Sequence, residues 1–414
     1  MFNSTFSKYN NIRKKYFFRK DYNISSFELF ELILTKKIYK PKFNFFEFLT
    51  NLISLILSII TILKCRIFNL DKINYYIVFN DNLMDPRSNN INSIFKSDKN
   101  INIIKTSGLG LSLLTYFKLK NVILHESIVY FSRFFFIEKK FTLKEKFKNI
   151  HKCKKRQNLI YLKIFKFLKI RKLIMIDDYR EIQNFINICK KLNITTLGYM
   201  HARFSKYRVS LSYDCFDKYI VWTDFFKKKL IEINPKYKKK IIVNNFRNFK
   251  KISYNKFSAQ TTVLFFSDSM MDYKSVIKYL NQLKGENIKV LVRLKSNEKE
   301  NINFLRYIKK NNFINANKTS IETVVKKYKP KFFIATNSSV LIEATLYNCF
   351  PIILKTQNDY SFDLIKDNLA ICYSGNNNFY KFLKNLEKKK YLINSIYNKI
   401  WNSKNEIKKI KGLF

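Results

Sequence analysis

The residues best suited to chemistry lie in one stretch of the C-terminal half, where two serines and a glutamate follow an apolar run. Residues 331–354 have the sequence KFFIATNSSVLIEATLYNCFPIIL. This pattern predicts a buried strand at 331–335, a polar turn at 336–339, a helix over 340–347 and a second strand that begins at Pro351. The turn therefore offers hydroxyls and free backbone N–H groups at a helix N-terminus, and such a terminus suits a phosphate.

The spacing within this turn and helix adds a second polar contact. Ser339 and Glu343 are four residues apart, so a helix places them on one face, and a ribose diol fits beside the carboxylate one turn after the phosphate. The alternative is that Ser338 only caps a structural helix and that Glu343 faces solvent. Asn348 follows the predicted helix, at a position that favours a left-handed backbone conformation. Gly is the preferred residue there and Asn is the second choice.

The longer string Ser-Ser-x-x-x-Glu-Ala, with Pro-Ile-Ile after a short helix, resembles the donor-site signature of GT-B glycosyltransferases. It is most similar to the bacterial surface-polysaccharide group, which includes polysialyltransferases and CDP-glycerol glycerophosphotransferases, and more distantly to UDP-sugar 2-epimerases. The resemblance implies that Ser338 and Ser339 contact a nucleotide phosphate and that Glu343 holds the ribose. Asn348 stands where that group usually has Gly. The implied fold is α/β of the GT-B type, with two Rossmann-like domains whose parallel sheets face a cleft.

An earlier strand-helix-strand unit supplies candidates for acid or base chemistry. The pattern predicts a strand at 173–177, an amphipathic helix at 178–192 and a strand at 194–200, hence a parallel βαβ unit. Ligands of such sheets collect beyond the carboxyl ends of the strands, where Asp178 and His201 follow. The GT-B group has a His-Gly pair after this strand, which Met200-His-Ala202 resembles with Ala for Gly. The resemblance makes His201 the first catalytic candidate, and Asp178 is the second. A purely structural role for His201 stays open.

The remaining donor-site candidates follow strands of the second predicted domain. The strand at 262–266 is followed by Ser267-Asp-Ser269, and the strand at 289–293 ends at Arg293. The predicted donor-binding set is Ser267, Ser269, Arg293, Asn337, Ser338, Ser339 and Glu343. The resembled group usually has a His-Pro pair after 289–293, whereas this chain has Leu294-Lys-Ser296. Lys295 and Ser296 replace that pair at the phosphate, or the donor differs, or the site is inactive.

The chain of 414 residues is long enough for two domains and an extension. We predict a basic N-terminal extension at 1–69, an acceptor domain at 70–255 and a donor domain at 256–414. The extension contains an apolar helix at 45–63, whose polar residues share one narrow stripe, so that the helix is buried in a domain, lies in a membrane interface or spans a membrane. The Lys-rich segment 138–171 has a helical pattern and predicts a surface or membrane-facing insertion.

Composition limits the partners. The formal net charge of +49 comes from 79 Lys and Arg against 30 Asp and Glu. Lys dominates it, and the low counts of Gly and Pro, 6 and 5, are typical of low-GC codon usage. The charge therefore predicts attraction to an anionic membrane surface, while the sequence contains no nucleic-acid-binding motif. The six Cys are scattered and the N-terminus lacks a signal-peptide pattern, so we expect a cytoplasmic protein that is peripheral on the inner face of the cell membrane.

These features together predict a glycosyltransferase that moves a sugar from a nucleotide-sugar donor to a surface glycan, such as capsule or lipopolysaccharide, or to its lipid-linked precursor. No D-x-D motif follows a strand, so we expect no metal and no cofactor beyond the donor substrate. The alternatives are a nucleotide-sugar 2-epimerase-like enzyme, an inactive GT-B-like protein at the membrane, or a basic nucleic-acid-binding protein.

Overall fold

The fold is that of a computed structural model, which divides the chain into two compact units. The first consists mainly of Asn3–Trp222 and Phe226–Arg247, and the second mainly of Asn248–Lys404. The predicted domain boundaries at 69/70 and 255/256 stay predictions. The residues that the structure describes are 45–67, 74–79, 101–107, 122–133, 143–176, 182–200, 204, 211, 216–244, 251–252, 260–267, 273–284, 286–294, 302–317, 319–336, 338–355 and 362–402.

The first unit contains a parallel sheet of seven strands. The strands are β1 (Asn74–Phe79), β2 (Ile101–Ser107), β3 (Val122–Leu124), β4 (Lys172–Ile176), β5 (Thr195–Tyr199), β6 (Lys218–Val221) and β7 (Ile241–Val243). Their spatial order is β3-β2-β1-β4-β5-β6-β7, and every neighbouring pair is parallel. This is a doubly wound Rossmann-like sheet, in which the chain direction across the sheet reverses between β1 and β4.

Helices accompany this sheet in chain order. They are α1 (Phe45–Ile67), α2 (His125–Arg133), α3 (Leu143–Phe167), α4 (Ile182–Lys191) and α5 (Asp224–Ile233), with a short 3-10 helix at Pro235–Tyr237. The long helix α3 belongs to the connection between β3 and β4. Its Tyr161 and Phe165 are buried and pack on the ring of Phe185 in α4, at centroid distances of 4.8 and 6.2 Å. The described part of the Lys-rich segment is therefore a helix of the β3–β4 connection, and buried and exposed residues alternate along 151–167.

The second unit contains a second parallel sheet, with six strands. They are β8 (Thr261–Phe266), β9 (Ile288–Arg293), β10 (Ile314–Asn315), β11 (Phe332–Ala335), β12 (Phe350–Leu354) and β13 (Ile371–Tyr373). Their order is β10-β9-β8-β11-β12-β13, again parallel throughout. The predicted α/β class with two Rossmann-like parallel sheets is confirmed. The short edge strands β10 and β13 were not predicted.

The helices of the second unit complete a layered core around this sheet. They are α6 (Tyr273–Asn281), α7 (Ile302–Lys310), α8 (Ile321–Tyr328), α9 (Val340–Glu343), α10 (Phe362–Lys366), α11 (Phe379–Glu387) and α12 (Tyr391–Trp401), with a 3-10 turn at Ala344–Tyr347. All six residues of β8 and all five of β12 are buried. Strands that are buried along their whole length are expected where helices cover both faces of a parallel sheet.

Candidate functional site

The predicted site lies at the point where the second sheet reverses direction. In the strand order of this sheet, β8 is the first strand along the chain and β11 is the fourth, and the two are neighbours. Their last residues, Phe266 and Ala335, are register partners. The next residues along the chain, Ser267 and Thr336, therefore leave adjacent carboxyl ends. In open α/β sheets, ligands bind in the crevice at this switch point.

The helix after β11 has the predicted bounds but a mixed character. Its first part, α9, has four α-helical residues, and Ala344–Tyr347 continues as a 3-10 turn. Asn348 then ends it with φ 55° and ψ 33°, and its N–H bonds to carbonyls of the last turn. The left-handed role predicted for Asn348 is confirmed. Because the α-helical part is so short, its dipole adds less to anion binding than a full helix would.

Only a few side chains in the segment 338–350 are accessible to solvent, and they are polar. Within residues 338–350, every residue is buried except Ser338, Ser339, Glu343 and Asn348, which are half-buried. Asn348 lies at the C-terminal end of the 3-10 turn, where the left-handed backbone accounts for its presence. The two serines and the glutamate are thus the accessible side chains at the start of the helix, in agreement with the predicted shared face of Ser339 and Glu343.

The serine hydroxyls contribute little to capping. Ser339 is at the N-cap position but has φ −65° and ψ −14°, and its side chain makes no capping hydrogen bond. A capping side chain requires an extended backbone at this residue, so the helical backbone of Ser339 explains the missing bond. Ser338 Oγ accepts a long hydrogen bond of 3.3 Å from the Val340 N–H. A hydroxyl that accepts one bond can still donate its own hydrogen, so both serines retain a donor for a ligand.

The expectation of free N–H groups at this terminus is only partly met. The Leu341 N–H donates to the Ser338 carbonyl at 3.3 Å, and the Ile342 N–H donates to the Ser339 carbonyl at 3.1 Å. These bonds close tight turns at the start of the helix, as is common at helix ends. An anion at this site would therefore be held chiefly by the serine hydroxyls rather than by several amides.

Two contacts from distant parts of the second unit hold the 3-10 turn in place. The indole N–H of Trp401, at the end of α12, donates to Thr345 Oγ1 at 3.2 Å. The Ile252 N–H donates to the Leu346 carbonyl at 2.7 Å. Sequence patterns did not identify Trp401 or Ile252, because both act over long sequence separations. They fix the position of the segment that carries Glu343.

Arg293 has a structural role at the end of β9. Its Nη1 donates to the Ala316 carbonyl at 3.1 Å and also to the Thr319 carbonyl. These bonds fasten the loop that follows β10. Burial lowers the pKa of the Arg293 guanidinium from its ordinary value, but an arginine stays charged at neutral pH. Both hydrogens of Nη1 are used, so any phosphate contact by Arg293 requires its other nitrogens.

The other predicted donor-site residues divide between described and undescribed positions. Ser267 is buried, with 5% of its surface exposed, and its N–H donates to the Arg293 carbonyl at 3.0 Å. Ser269 and Asn337 lie outside the described residues, as do Lys295 and Ser296. The donor-binding roles of the whole set stay predictions.

The two catalytic candidates, Asp178 and His201, also lie outside the described residues. The strands that precede them are described and adjacent, with Ile176 of β4 in register with Tyr199 of β5. Met200, directly before His201, is fully buried, and its N–H donates to the Ile220 carbonyl at 2.9 Å. Among the described residues, no group of three or more His, Cys, Asp or Glu side chains is arranged to hold a metal ion.

Comparisons with known proteins support the fold. No family model matches the chain. No curated protein matches it either. Among solved structures, the calicheamicin glycosyltransferase CalG4 matches with a TM-score of 0.53 and 8% identity over 82% of this chain and 97% of CalG4. UDP-GlcNAc 2-epimerase from Neisseria meningitidis, solved with bound UDP-GlcNAc, matches with a TM-score of 0.50 and 11% identity over 80% and 95% of the chains.

A third solved structure, MnaA of S. aureus with UDP, has a TM-score of 0.50 and 12% identity, and the match covers 78% of this chain and 90% of MnaA. These neighbours are glycosyltransferase-like proteins of the GT-B fold. At such low identity, the similarity establishes the fold alone. With its two Rossmann-like parallel sheets, the chain has the GT-B fold that the sequence predicted.

Proposed function

We propose that the protein is a glycosyltransferase that uses a nucleotide-sugar donor, with the donor bound at the carboxyl edge of the second sheet. The observation that supports it best is the accessibility of Ser338, Ser339 and Glu343 at the switch point, in a segment whose other residues are buried apart from Asn348. Ser339 has no capping bond, so helix capping gives no reason for its hydroxyl. The GT-B fold adds a general reason, since neighbours of this fold were solved with UDP or UDP-GlcNAc.

The proposed chemistry follows from the charge that develops during transfer. As the bond between sugar and phosphate breaks, negative charge grows on the leaving nucleotide, and the hydroxyls of Ser338 and Ser339 would donate to it. Glu343 would accept hydrogen bonds from the ribose hydroxyls. A general base after β5 or β4 would take the proton of the acceptor hydroxyl as its oxygen attacks the sugar, with His201 as the first candidate and Asp178 as the second.

The proposed acceptor is a surface glycan, such as capsule or lipopolysaccharide, or its lipid-linked precursor. The proposed enzyme group is that of the polysialyltransferases and glycerophosphotransferases. This acceptor is consistent with a location on the cytoplasmic face of the membrane, which the basic charge of +49 favours. A second candidate is a 2-epimerase-like activity, because a UDP-GlcNAc 2-epimerase with bound UDP-GlcNAc is among the solved structures of the same fold.

A nucleotide screen followed by product analysis tests the proposal. Thermal shift with CMP, CDP, UDP and GDP identifies which nucleotide the protein binds. NMR then follows the chemical fate of the sugar in the matching nucleotide sugar. A transferase leaves the donor unchanged until an acceptor glycan is added, whereas an epimerase converts it without acceptor. Absence of binding by all four nucleotides would refute the donor site.

The catalytic candidates are tested in the same assay. If His201 is the base, His201→Ala lowers turnover by about two to four orders of magnitude and leaves nucleotide affinity unchanged. Asp178→Asn is the control for the rival base. Loss of nucleotide affinity together with unfolding of the His201 variant would instead mean that this histidine is structural.

A further inference from the structure

The helix α1 is oriented opposite to an ordinary surface helix. Its polar residues Asn51, Ser58 and Thr61 are 0%, 1% and 6% exposed, and they lie on the side that packs against β3 and α2. Cys65 continues this buried side, and burial raises the pKa of its thiol to about 11. The polar stripe that the sequence predicted therefore faces the protein rather than water.

The side-chain donors of the polar stripe on α1 are satisfied without solvent, whereas the acceptor Asn51 Oδ1 is buried and has no hydrogen-bond partner. The hydroxyls of Ser54, Ser58 and Thr61 each donate to the carbonyl four residues earlier, at 2.8 to 3.0 Å. Asn51 Nδ2 donates to the Glu47 carbonyl at 2.8 Å. Ser58 Oγ also accepts a buried hydrogen bond of 2.9 Å from the Leu124 N–H of β3. Because these donors bond within the helix, they need no water when the helix lies beside an apolar environment.

The opposite side of α1 exposes large apolar side chains to solvent. We call it the outer apolar face and define it by Phe45, Phe46, Ile56, Ile60, Leu63 and Ile67, which are 46% to 77% exposed. Contiguous apolar faces of this kind on a soluble surface mark a binding site for another apolar surface. By length and composition, α1 is also the one helix among the described residues that is long enough and apolar enough to cross a membrane.

The apolar surface continues onto α3 and becomes basic there. The guanidinium carbon of Arg66, near the end of α1, lies 5.9 Å from the ring centre of Phe167 at the end of α3. Leu159, Lys163 and Phe167 recur every four residues on α3 and are all exposed. Lys64 at the end of α1 is exposed as well. Apolar side chains bordered by basic ones are typical of helices that lie in a membrane interface.

We propose that α1 lies flat on an anionic lipid bilayer, with the outer apolar face among the acyl chains and the flanking basic residues at the headgroups. A spanning arrangement conflicts with the packing of α1 on β3 and α2, which includes the buried bond between Ser58 and Leu124. A second copy of the chain is disfavoured, since two chains that each carry a formal charge of +49 repel each other. The proposal does not depend on the nucleotide site.

Vesicle binding by the full chain tests the proposal. Flotation with vesicles of phosphatidylcholine alone, or with about one third phosphatidylglycerol, measures partitioning at about 0.1 M salt. The test variant is Ile56→Gln with Ile60→Gln, which removes apolar surface, keeps the charge and retains helix propensity. The matched control is Tyr391→Gln, because Tyr391 is 66% exposed but lies on α12, which belongs to the other compact unit.

The expected result is preferential binding to the anionic vesicles, at least about a tenfold loss of partitioning for the double variant, and no loss for the control. Unchanged partitioning of the double variant would overturn the proposal, because adsorption by charge alone would then explain binding. A lipid-free dimer that the double variant converts to monomer would also overturn it, in favour of a second copy. Nucleotides should leave vesicle binding unchanged.

Discussion

The hydroxyl of Ser339 offers the sharpest test of the donor site, because the structure separates its ligand role from a structural role. Ser339 makes no capping hydrogen bond and is half-buried, so Ser339→Ala removes no described contact within the protein. We expect its free energy of unfolding to change by less than about 0.5 kcal/mol. If the hydroxyl donates to a nucleotide phosphate, the same change removes a hydrogen bond to a charged group, worth about 1.5 to 3 kcal/mol. Affinity for a nucleoside diphosphate should fall by about 10- to 150-fold.

Glu343→Gln provides the crossed comparison. The proposed contact of Glu343 is with the ribose, so this variant should weaken the nucleoside and the nucleoside diphosphate by similar factors. Ser339→Ala should weaken only the diphosphate, because the nucleoside lacks the phosphate. Ser338→Ala should behave like Ser339→Ala towards ligands but also loses its bond of 3.3 Å from the Val340 N–H. We therefore expect it to cost up to about 1 kcal/mol of stability.

Isothermal titration calorimetry with one nucleoside and its diphosphate, together with urea unfolding of each variant, measures all of these effects. Equal losses of nucleoside and diphosphate affinity in Ser339→Ala would refute the phosphate contact. Unchanged affinities in both Ser339→Ala and Glu343→Gln would refute the donor site as a whole. A large loss of stability in Ser339→Ala would refute the argument that its hydroxyl has no capping role.

Three further predictions concern stability and are measured by urea unfolding. Lys329 ends α8 with φ 46°, so Lys329→Gly should stabilise the second unit by about 0.5 to 1 kcal/mol, and a loss of stability would contradict this. In Gly198→Ala, the added Cβ would lie 2.5 Å from a ring carbon of buried Tyr219, which should cost at least about 1 to 3 kcal/mol; a neutral result would mean that the ring can move. Burial opposes ionisation of Glu387, but hydrogen bonds from Thr261 and Lys331 outweigh it and hold its pKa below the ordinary value of 4.5. Its stabilising effect should therefore be present above about pH 4.5 and be lost as the pH falls through the lowered pKa, so that Glu387→Gln weakens the protein at pH 7 and not in acid.

Hydrophobic pattern was sufficient for the central strands. Runs such as Val263–Phe266 and Pro351–Leu354 are apolar at every position, as is typical of buried parallel strands, and both lie in the second sheet. The edge strands β10 and β13 have only two and three residues, so no window contains enough of a pattern to identify them. The strand orders, with their reversals between β1 and β4 and between β8 and β11, are seen only in the structure, because a run of apolar residues does not state which strand it pairs with.

The ends of several helices were missed in the sequence because Asn, rather than Gly, occupies the left-handed position there. Six described non-Gly residues have positive φ, and four of them are Asn: Asn193, Asn312, Asn348 and Asn368. Each follows a helix, where many proteins have Gly. Since this chain has only 6 Gly, helix ends marked by Asn are easily overlooked, and only Asn348 was identified from its motif. Because their backbone is left-handed, these asparagines are candidates for stabilising replacement by Gly.

The orientation of α1 could not be deduced from periodicity, and the reason is physical. The helical periodicity of the sequence identifies which residues share a face but not which face contacts the protein. The usual assumption is that the apolar face points inward. That rule assumes water as the alternative environment. In α1, Ser and Thr bond to carbonyls of their own helix, so their burial against β3 costs little, while the Leu and Ile side is exposed. An apolar solvent on that side would reverse the sign of the rule, and the bilayer surface that we propose for α1 is such a solvent.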